Sequence, residues 1–395
     1  MPDPADYYRE IYIRGLGGET PAIPVPVTDL EAKAMAAMDP KAANYVWAGA
    51  GTEDTLDANV EAFSRHRIVP RMLRDVSARD LSTTVLGTAM PAPLLLAPIG
   101  VQAVVHPDGE LATARAAAAV GAPMIVSTAS HFSLEEVAEA GGEAPRWFQL
   151  YWPNDPELAR SFVERAERAG YGAIVLTVDT FIPGWKPRDL QQAWLPFLNG
   201  MGVANYFQDP VFCAALEKPP EEDVGAATGH FLGVQANPAL SWDDLAQLRE
   251  MTSLPIVVKG IQHVDDAREA VSRGVDGIVV SNHGGRQVDG AIASLNALPA
   301  IAAAVGDQDL AILFDSGIRG GADALKALAL GADAVCLGRP YVWGLALDGQ
   351  AGVEAVLKMV LAELDLTMAL CGLTRPEEIG PGLLASSSAS PSSGS

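Results

Sequence analysis

Cysteine is scarce: the chain holds three, Cys213, Cys336 and Cys371, in 395 residues, and no two form a Cys-x-x-Cys pair. So odd and scattered a set excludes a disulfide framework and a cysteine-built metal site, and it fits a reducing compartment. The six histidines are equally dispersed, with no His-x-x-x-His spacing, so no metal is expected. Positive charge is also in short supply. Lys and Arg number 27 against 49 Asp and Glu, a net charge of −22. That balance disfavours nucleic acid and anionic membranes as partners, and any anionic ligand must be drawn in by local cations. No apolar run approaches the roughly 20 residues of a membrane span. The amino terminus, Met1-Pro2-Asp3-Pro4-Ala5-Asp6, lacks a charged-then-apolar signal. The expectation is a soluble, cytoplasmic protein.

What is abundant is apolar: 49% of residues are hydrophobic and 19% charged, enough for a large buried core. A cassette of helix, glycine and short apolar strand repeats. It reads Val120-Gly121-Ala122-Pro123-Met124-Ile125-Val126, then Ala169-Gly170-Tyr171-Gly172-Ala173-Ile174-Val175. It returns as Arg273-Gly274-Val275-Asp276-Gly277-Ile278-Val279 and as Leu330-Gly331-Ala332-Asp333-Ala334-Val335-Cys336. Continuously apolar strands are those of a parallel sheet covered on both faces. Eight are predicted, at about 94–97, 123–127, 146–150, 173–178, 255–259, 275–280, 310–314 and 333–337. Helix starts lie between them: a capping box at Ser133-Leu134-Glu135-Glu136, an N-cap at Asp155-Pro156, and another start at Ser241. Eight strands with helical crossovers favour a (β/α)8 barrel over an open doubly wound sheet. A helix is expected from about Asp29 to Met38, and residues 1–27 are expected to wrap the surface. One domain is expected over 1–385. It carries a lid insertion at about 182–240 after the fourth strand, and a disordered serine-rich tail follows at 386–395.

Polar residues gather at the carboxyl ends of these strands, where a barrel builds its site. Gln149 and Lys259 are predicted inside the barrel and need partners, which a flat ligand with many acceptors would supply. The seventh and eighth strands end in Gly317, Arg319, Gly320 and Gly321, and in Gly338 and Arg339. Glycine amides with arginines after these strands suit a phosphate, so a phosphate-bearing cofactor is implied. No Gly-x-Gly-x-x-Gly opens a helix after a strand, which argues against a dinucleotide.

The most informative stretch is Ser281-Asn282-His283-Gly284-Gly285-Arg286-Gln287-Val288-Asp289-Gly290, just past the sixth strand. A base three positions from a fixed cation suits removal of a proton or hydride from a small anionic substrate. The two glycines between them are expected to keep side-chain bulk away from a ligand. The decapeptide resembles the signature of the FMN-dependent 2-hydroxy-acid oxidising family, and the resemblance runs from about Tyr45 to Gly372. It implies a (β/α)8 barrel, FMN as cofactor, a small L-2-hydroxy acid and O2 as substrates, and a homotetramer or homo-octamer. Carried over residue by residue, it implies that His283 is the catalytic base, that Asp179 pairs with the resulting imidazolium, and that Tyr45, Tyr151 and Arg286 bind substrate. Pro98, Ile99, Gly100, Ser127, Gln149 and Thr177 are implied as flavin contacts, Lys259 as the cation beside the ring, and Ser281 as a further contact. Asp315, Ser316, Gly317, Arg319, Gly338 and Arg339 are implied around the ribityl chain and phosphate.

Within the family, Pro98-Ile99-Gly100-Val101, the insertion, Gly184-Trp185 followed by Pro187-Arg188-Asp189, and Phe314-Asp315-Ser316-Gly317-Ile318-Arg319 are similar to the lactate 2-monooxygenase branch, which implies oxidative decarboxylation. Gly100 stands where many simple oxidases carry alanine, and the missing methyl is expected to leave space beside the cofactor. The family places an arginine where this chain has Lys186. Lysine cannot offer a carboxylate the planar fork of arginine. Lys186 or Arg188 is then the second carboxylate clamp. Both would point to one side of an extended segment, and Lys186 is favoured because Gly184 and Asp189 hold the register. Other readings stay open: a simple oxidase of lactate, glycolate or mandelate type releasing H2O2, an FMN-dependent isomerase of the isopentenyl diphosphate type, and a non-catalytic flavin-binding protein.

Overall fold

The computed structural model describes residues 4–385; the tail 386–395, expected to be disordered, lies outside the described residues. Eight parallel strands close a barrel in chain order. They are β1 (Leu94–Leu96), β2 (Met124–Ser127), β3 (Arg146–Leu150), β4 (Ile174–Thr177), β5 (Ile256–Ile261), β6 (Gly277–Val280), β7 (Ala311–Phe314) and β8 (Ala334–Leu337). Each lies within two residues, at either end, of its predicted stretch.

Because side chains alternate along a strand, each of these strands has two kinds of position. Leu94, Leu96, Met124, Val126, Phe148, Ile174, Val258 and Ile278 pack outward against the helices in one large core. Leu95, Ile125, Trp147, Val175, Val257, Val279, Leu313 and Cys336 meet inside the barrel in a second. An antiparallel hairpin, Thr83–Val85 and Thr88–Met90, closes the amino-terminal end, adding Val85 and Met90 to that interior core. It is fixed there by Trp147, whose indole Nε1 donates to Thr88 Oγ1 at 2.9 Å. Two residues further along the strands come Ala97, Ser127, Gln149, Thr177, Lys259, Ser281, Asp315 and Gly338. The inward alternation therefore turns from apolar to polar at the carboxyl-terminal mouth.

Four helices precede the barrel: α1 (Asp6–Leu16), α2 (Val27–Ala37), α3 (Pro40–Trp47) and α4 (Asp54–Ser64). The expectation for residues 1–27 omitted α1, a surface helix none of whose side chains is buried. Asp39 caps α3 by accepting from Lys41 N at 2.8 Å, with Pro40 at the first turn. The outer ring includes α5 (Gly109–Val120), α6 (Leu134–Gly141) and α7 (Pro156–Arg168). Ser133 and Asp155 make the caps read from the sequence. The insertion after β4 has structure of its own: α8 (Pro187–Gln191), α9 (Ala204–Phe207), α10 (Pro210–Ala214) and α11 (Val224–Val234). Among the described residues no helix is long and apolar enough to cross a membrane.

The early helices matter because they are bolted to the loop after β6. Asn59 of α4 and Asn282 exchange two buried amide hydrogen bonds, each 2.8 Å, and Asn59 Oδ1 also accepts from Ser294 N at 3.1 Å. Asn59→Ala strands these donors and acceptors, and should cost about 2–4 kcal/mol. Urea unfolding measures this; a loss below about 1 kcal/mol would mean that the pair is dispensable.

Candidate active site

At the carboxyl ends of the strands lies a cavity of about 300 Å³. The predicted residues Tyr45, Pro98, Ile99, Gly100, Ser127, Tyr151, Lys186, Lys259, His283, Arg286, Asp315, Ser316, Gly317, Arg319, Gly338 and Arg339 all line it. Gln149, Thr177, Asp179 and Ser281 stand one layer behind. Gln149 Oε1 accepts from Ser127 Oγ at 3.1 Å, and Ser281 Oγ accepts from Lys259 Nζ at 2.9 Å and from His283 N at 3.1 Å.

Lys259, 4% exposed, also pairs with Asp315 Oδ2 at 3.1 Å. Burial disfavours its charge, but Asp315 and Asp179 outweigh that and hold it protonated well above the usual lysine range. Asp179 is largely buried, which raises its pKa. His283 and Lys259 overcome the burial, so the carboxyl stays below its ordinary value and ionised. Its Oδ1 lies 2.8 Å from His283 Nδ1, and Thr180 Oγ1 is 3.1 Å from the same nitrogen. An ionised Asp179 accepts, so Nδ1 carries the proton and Nε2 keeps its lone pair. This close approach needs a glycine in β5. Gly260 has φ +114°, and a Cβ there would lie 2.7 Å from Asp179 Cβ.

His283 has φ +58°, followed by Gly284 and Gly285 at +66° and +77°. Gly284 lines the cavity, in keeping with the sequence expectation, whereas Gly285 packs against helix α4. A Cβ on Gly284 would meet Arg339 Nη1 at 2.9 Å, and one on Gly285 would meet Leu56 N at 2.6 Å. They let the loop press against an arginine and helix α4. The carbonyls at the end of α3 receive two cations, a favourable match to the negative end of a helix. Arg286 Nη1 donates to Tyr45 O at 2.9 Å and Ala48 O at 2.8 Å, with its guanidinium 5.6 Å from the Tyr45 ring centroid. Arg339 donates to Val46 O and Trp47 O, both at 3.3 Å, and to Gly284 O at 3.1 Å.

Burial, Arg286 and Arg319 push Arg339 down to about 9, with Glu31 and Glu53 offsetting only part of this. A phosphate would relieve that crowding of cations. Gln149 Nε2 and Thr177 Oγ1 are buried and have no hydrogen-bond partner among the described residues. Donors unsatisfied on one side and crowded cations on the other fit a flavin mononucleotide with its ring near β3 to β5 and its phosphate near Arg319 and Arg339. Gly321, expected among the phosphate amides, is engaged elsewhere. Gly321 N donates to Glu363 Oε2 at 2.7 Å, so that helix start already holds a carboxylate.

Two other expectations change. Gly100 adds no room: a Cβ there would lie 2.5 Å from Ala129 O, so the glycine lets the turns after β1 and β2 touch. Lys186 and Arg188 do not share a side, because α8 begins at Pro187 and turns them apart. Arg188 spends its fork on Glu53, at 2.7 and 2.6 Å, while Lys186 lines the cavity. Residues that the sequence reading passed over also contribute. Leu195, Phe197, Tyr206 and Phe231 of the insertion form an apolar wall, and Glu110 sits behind the turns after β1 and β2.

This constellation defines a flavin-binding barrel oxidoreductase that takes its substrate at the mouth of the barrel. Residues 34–386 match the family described as FMN-dependent dehydrogenase, and the chain belongs to it. It is similar to an L-lactate oxidase of Lysinibacillus sphaericus, 47% identical over 369 residues, 93% of this chain and 94% of that one. It is 44% identical to human 2-hydroxyacid oxidase 1 over 349 residues, 88% of this chain and 92% of that one. A crystal structure of mandelate oxidase superposes with a TM-score of 0.81 at 39% identity, covering 92% of this chain and 98% of that one. The chain is thus an FMN-dependent 2-hydroxy-acid oxidoreductase.

Glu110 is fully buried in the first turn of α5. Its Oε1 accepts from Gln102 N at 2.9 Å and His131 N at 3.3 Å, while Oε2 has no partner. Burial pushes it up to about 7 despite those N–H groups. A folded pKa above the unfolded one means that stability is full below about 4.5 and falls as pH rises through 7. Glu110→Gln removes that dependence and keeps an oxygen to accept from Gln102 N and His131 N. The variant should match wild type near pH 4.5 and exceed it at pH 8 by on the order of 3 kcal/mol. Thermal melts at the two pH values decide; a difference independent of pH would contradict the assignment.

Proposed function

We propose that the chain oxidises a small, lactate-like L-2-hydroxy acid with O2 as electron acceptor, and that the H2O2 formed oxidatively decarboxylates the retained 2-oxo acid to the acid one carbon shorter, CO2 and water. The observation that carries the reading is the His283–Asp179 pair at 2.8 Å, in one cavity with Arg286 and Lys186. His283 Nε2 is free to take the proton lost as Cα is oxidised, and Asp179 stabilises the imidazolium that results. Arg286, held by the carbonyls of α3, and Lys186 take the substrate carboxylate, with Tyr45 and Tyr151 beside them. A bound FMN would supply the two-electron oxidant and the route by which O2 is reduced. Lys259 supplies positive charge where the ring would become anionic. Leu195, Phe197 and Phe231 offer the substrate's side chain an apolar surface, and as a wall over the cavity they would slow the exit of the 2-oxo acid.

A simple oxidase is the second reading, favoured by the likeness to L-lactate oxidases. Aerobic turnover of L-lactate separates the two. Decarboxylation gives acetate and CO2 without free peroxide; stoichiometric pyruvate and H2O2 would make this an oxidase. His283→Gln should retain FMN but slow its anaerobic bleaching by lactate by roughly 10²–10⁴-fold. Bleaching within about threefold of wild type would remove His283 from the chemistry.

Lys186 gives a pH signature. Burial and Arg286 push it down to about 8, with Asp189 opposing. As pH rises through that value the clamp loses its charge, so KM for the acid should climb above pH 8. Lys186→Arg stays charged, and should abolish the climb and tighten binding by about 1 kcal/mol. Lys186→Ala should raise KM far more than Arg188→Ala, whose side chain holds Glu53. The reverse order would make Arg188 the clamp.

A further inference from the structure

The insertion places in the cavity wall a tyrosine whose hydroxyl the reading above does not use. Tyr206 lies in α9, lines the cavity and is 2% exposed. Its ring is fixed by Phe162, Phe212 and Phe231, at centroid separations of 5.0, 5.8 and 4.8 Å and interplanar angles of 87°, 75° and 83°. The hydroxyl makes no hydrogen bond to any described residue, yet it is not among the polar atoms sealed from solvent. In a side chain so enclosed, the space that hydroxyl meets is the cavity. Tyr151, which lines the same cavity, is the titratable group that acts on it.

The neighbours of Tyr206 show that this placement is built in. Asn205, fully buried, donates through Nδ2 to Thr128 O at 2.9 Å and accepts from Leu134 N at 2.8 Å, which ties α9 to the end of β2 and the start of α6. Arg165 of α7 donates to Asn205 O at 2.8 Å and to the buried Asp209 at 3.0 Å, and Ser161 donates to Asp209 at 2.7 Å. A buried ion pair contributes little to stability unless its geometry is good, but it fixes position well. Here it holds the middle of the insertion against the barrel and keeps the Tyr206 hydroxyl at one point on the cavity wall. Aromatic packing alone would be served equally by phenylalanine. A fixed, enclosed donor is satisfied only by an oxygen of whatever fills the cavity.

We propose that Tyr206 is a substrate-binding residue carried by the insertion, its hydroxyl donating to an oxygen of the bound 2-hydroxy acid and of the 2-oxo acid formed from it. The proposal rests on the reading of the cavity as a 2-hydroxy-acid site. It makes the insertion part of the binding site and adds a contact that retains the oxo acid after oxidation.

Tyr206→Phe tests it, because the ring and its three aromatic neighbours remain. Urea unfolding and the FMN dissociation constant, read by flavin fluorescence, should equal wild type. Titration of the oxidised holoenzyme with pyruvate, followed by flavin absorbance, should show a Kd raised about three- to tenfold, the range of one neutral hydrogen bond. KM for L-lactate should rise with it, and kcat should change less. Pyruvate Kd and lactate KM unchanged in the variant, with normal binding by wild type, would overturn the role of Tyr206 alone. A wild-type holoenzyme whose flavin spectrum responds to neither pyruvate nor lactate would overturn both this proposal and the reading beneath it.

Discussion

The site depends on one constraint: side chains of a closed parallel barrel alternate inward and outward, and the inward positions form rings. One ring is apolar, from Leu95 to Cys336, and the next one up is Ala97, Ser127, Gln149, Thr177, Lys259, Ser281, Asp315 and Gly338. A charged residue in that ring is expensive unless paired. The Lys259–Asp315 contact at 3.1 Å and the Lys259–Ser281 bond at 2.9 Å satisfy the cation from within the ring. Gln149 Nε2 and Thr177 Oγ1 are not satisfied that way, and a ligand with flat, spaced acceptors completes the layer. The polar ring thus fits a flavin at this end, while Trp147 and the hairpin below it keep the other end shut.

Much of this was legible in the sequence because the signals were local. A run such as Ile174-Val175-Leu176-Thr177 states its own burial, and a polar residue at its carboxyl end lands at the barrel mouth by geometry. The decapeptide from Ser281 to Gly290 placed His283 and Arg286 together. What stayed hidden depends on distant backbone. The partner of Arg188 is Glu53, 135 positions away, and nothing near either residue announces it. The carbonyl of Ala129 that fills the space beside Gly100 is likewise a tertiary fact. Nothing in the sequence singles out Glu110, whose side chain points inward to two backbone amides. Tyr206 lies in an insertion without periodicity, so no pattern marked its ring as a wall of the site.

Two kinds of arginine use coexist around the cavity. Arg188 spends its fork on Glu53 and Arg165 its fork on Glu135, and Arg165 Nη1 also reaches Asn205 O and Asp209; together they fasten the insertion. Arg286 and Arg339 turn toward the end of α3, and burial together with the crowding of cations holds Arg339 down to about 9. The first pair fixes the wall. The second pair keeps uncompensated positive charge at the points where anionic groups are expected, in a chain whose net charge of −22 would otherwise repel them.

The α3 carbonyls have a consequence for how the molecule is made. Tyr45 and Ala48 are synthesised early, but the guanidinium that receives their carbonyls is 241 and 238 positions downstream, and Arg339 lies 292 positions after Trp47. Contacts so distant in sequence form late. On the ribosome, α3 must wait with its carboxyl-terminal carbonyls unanswered until strands β6 and β8 have emerged. Barrel closure and the arrival of Tyr45 at the cavity are then the same event, so a truncated nascent chain cannot display a half-built site.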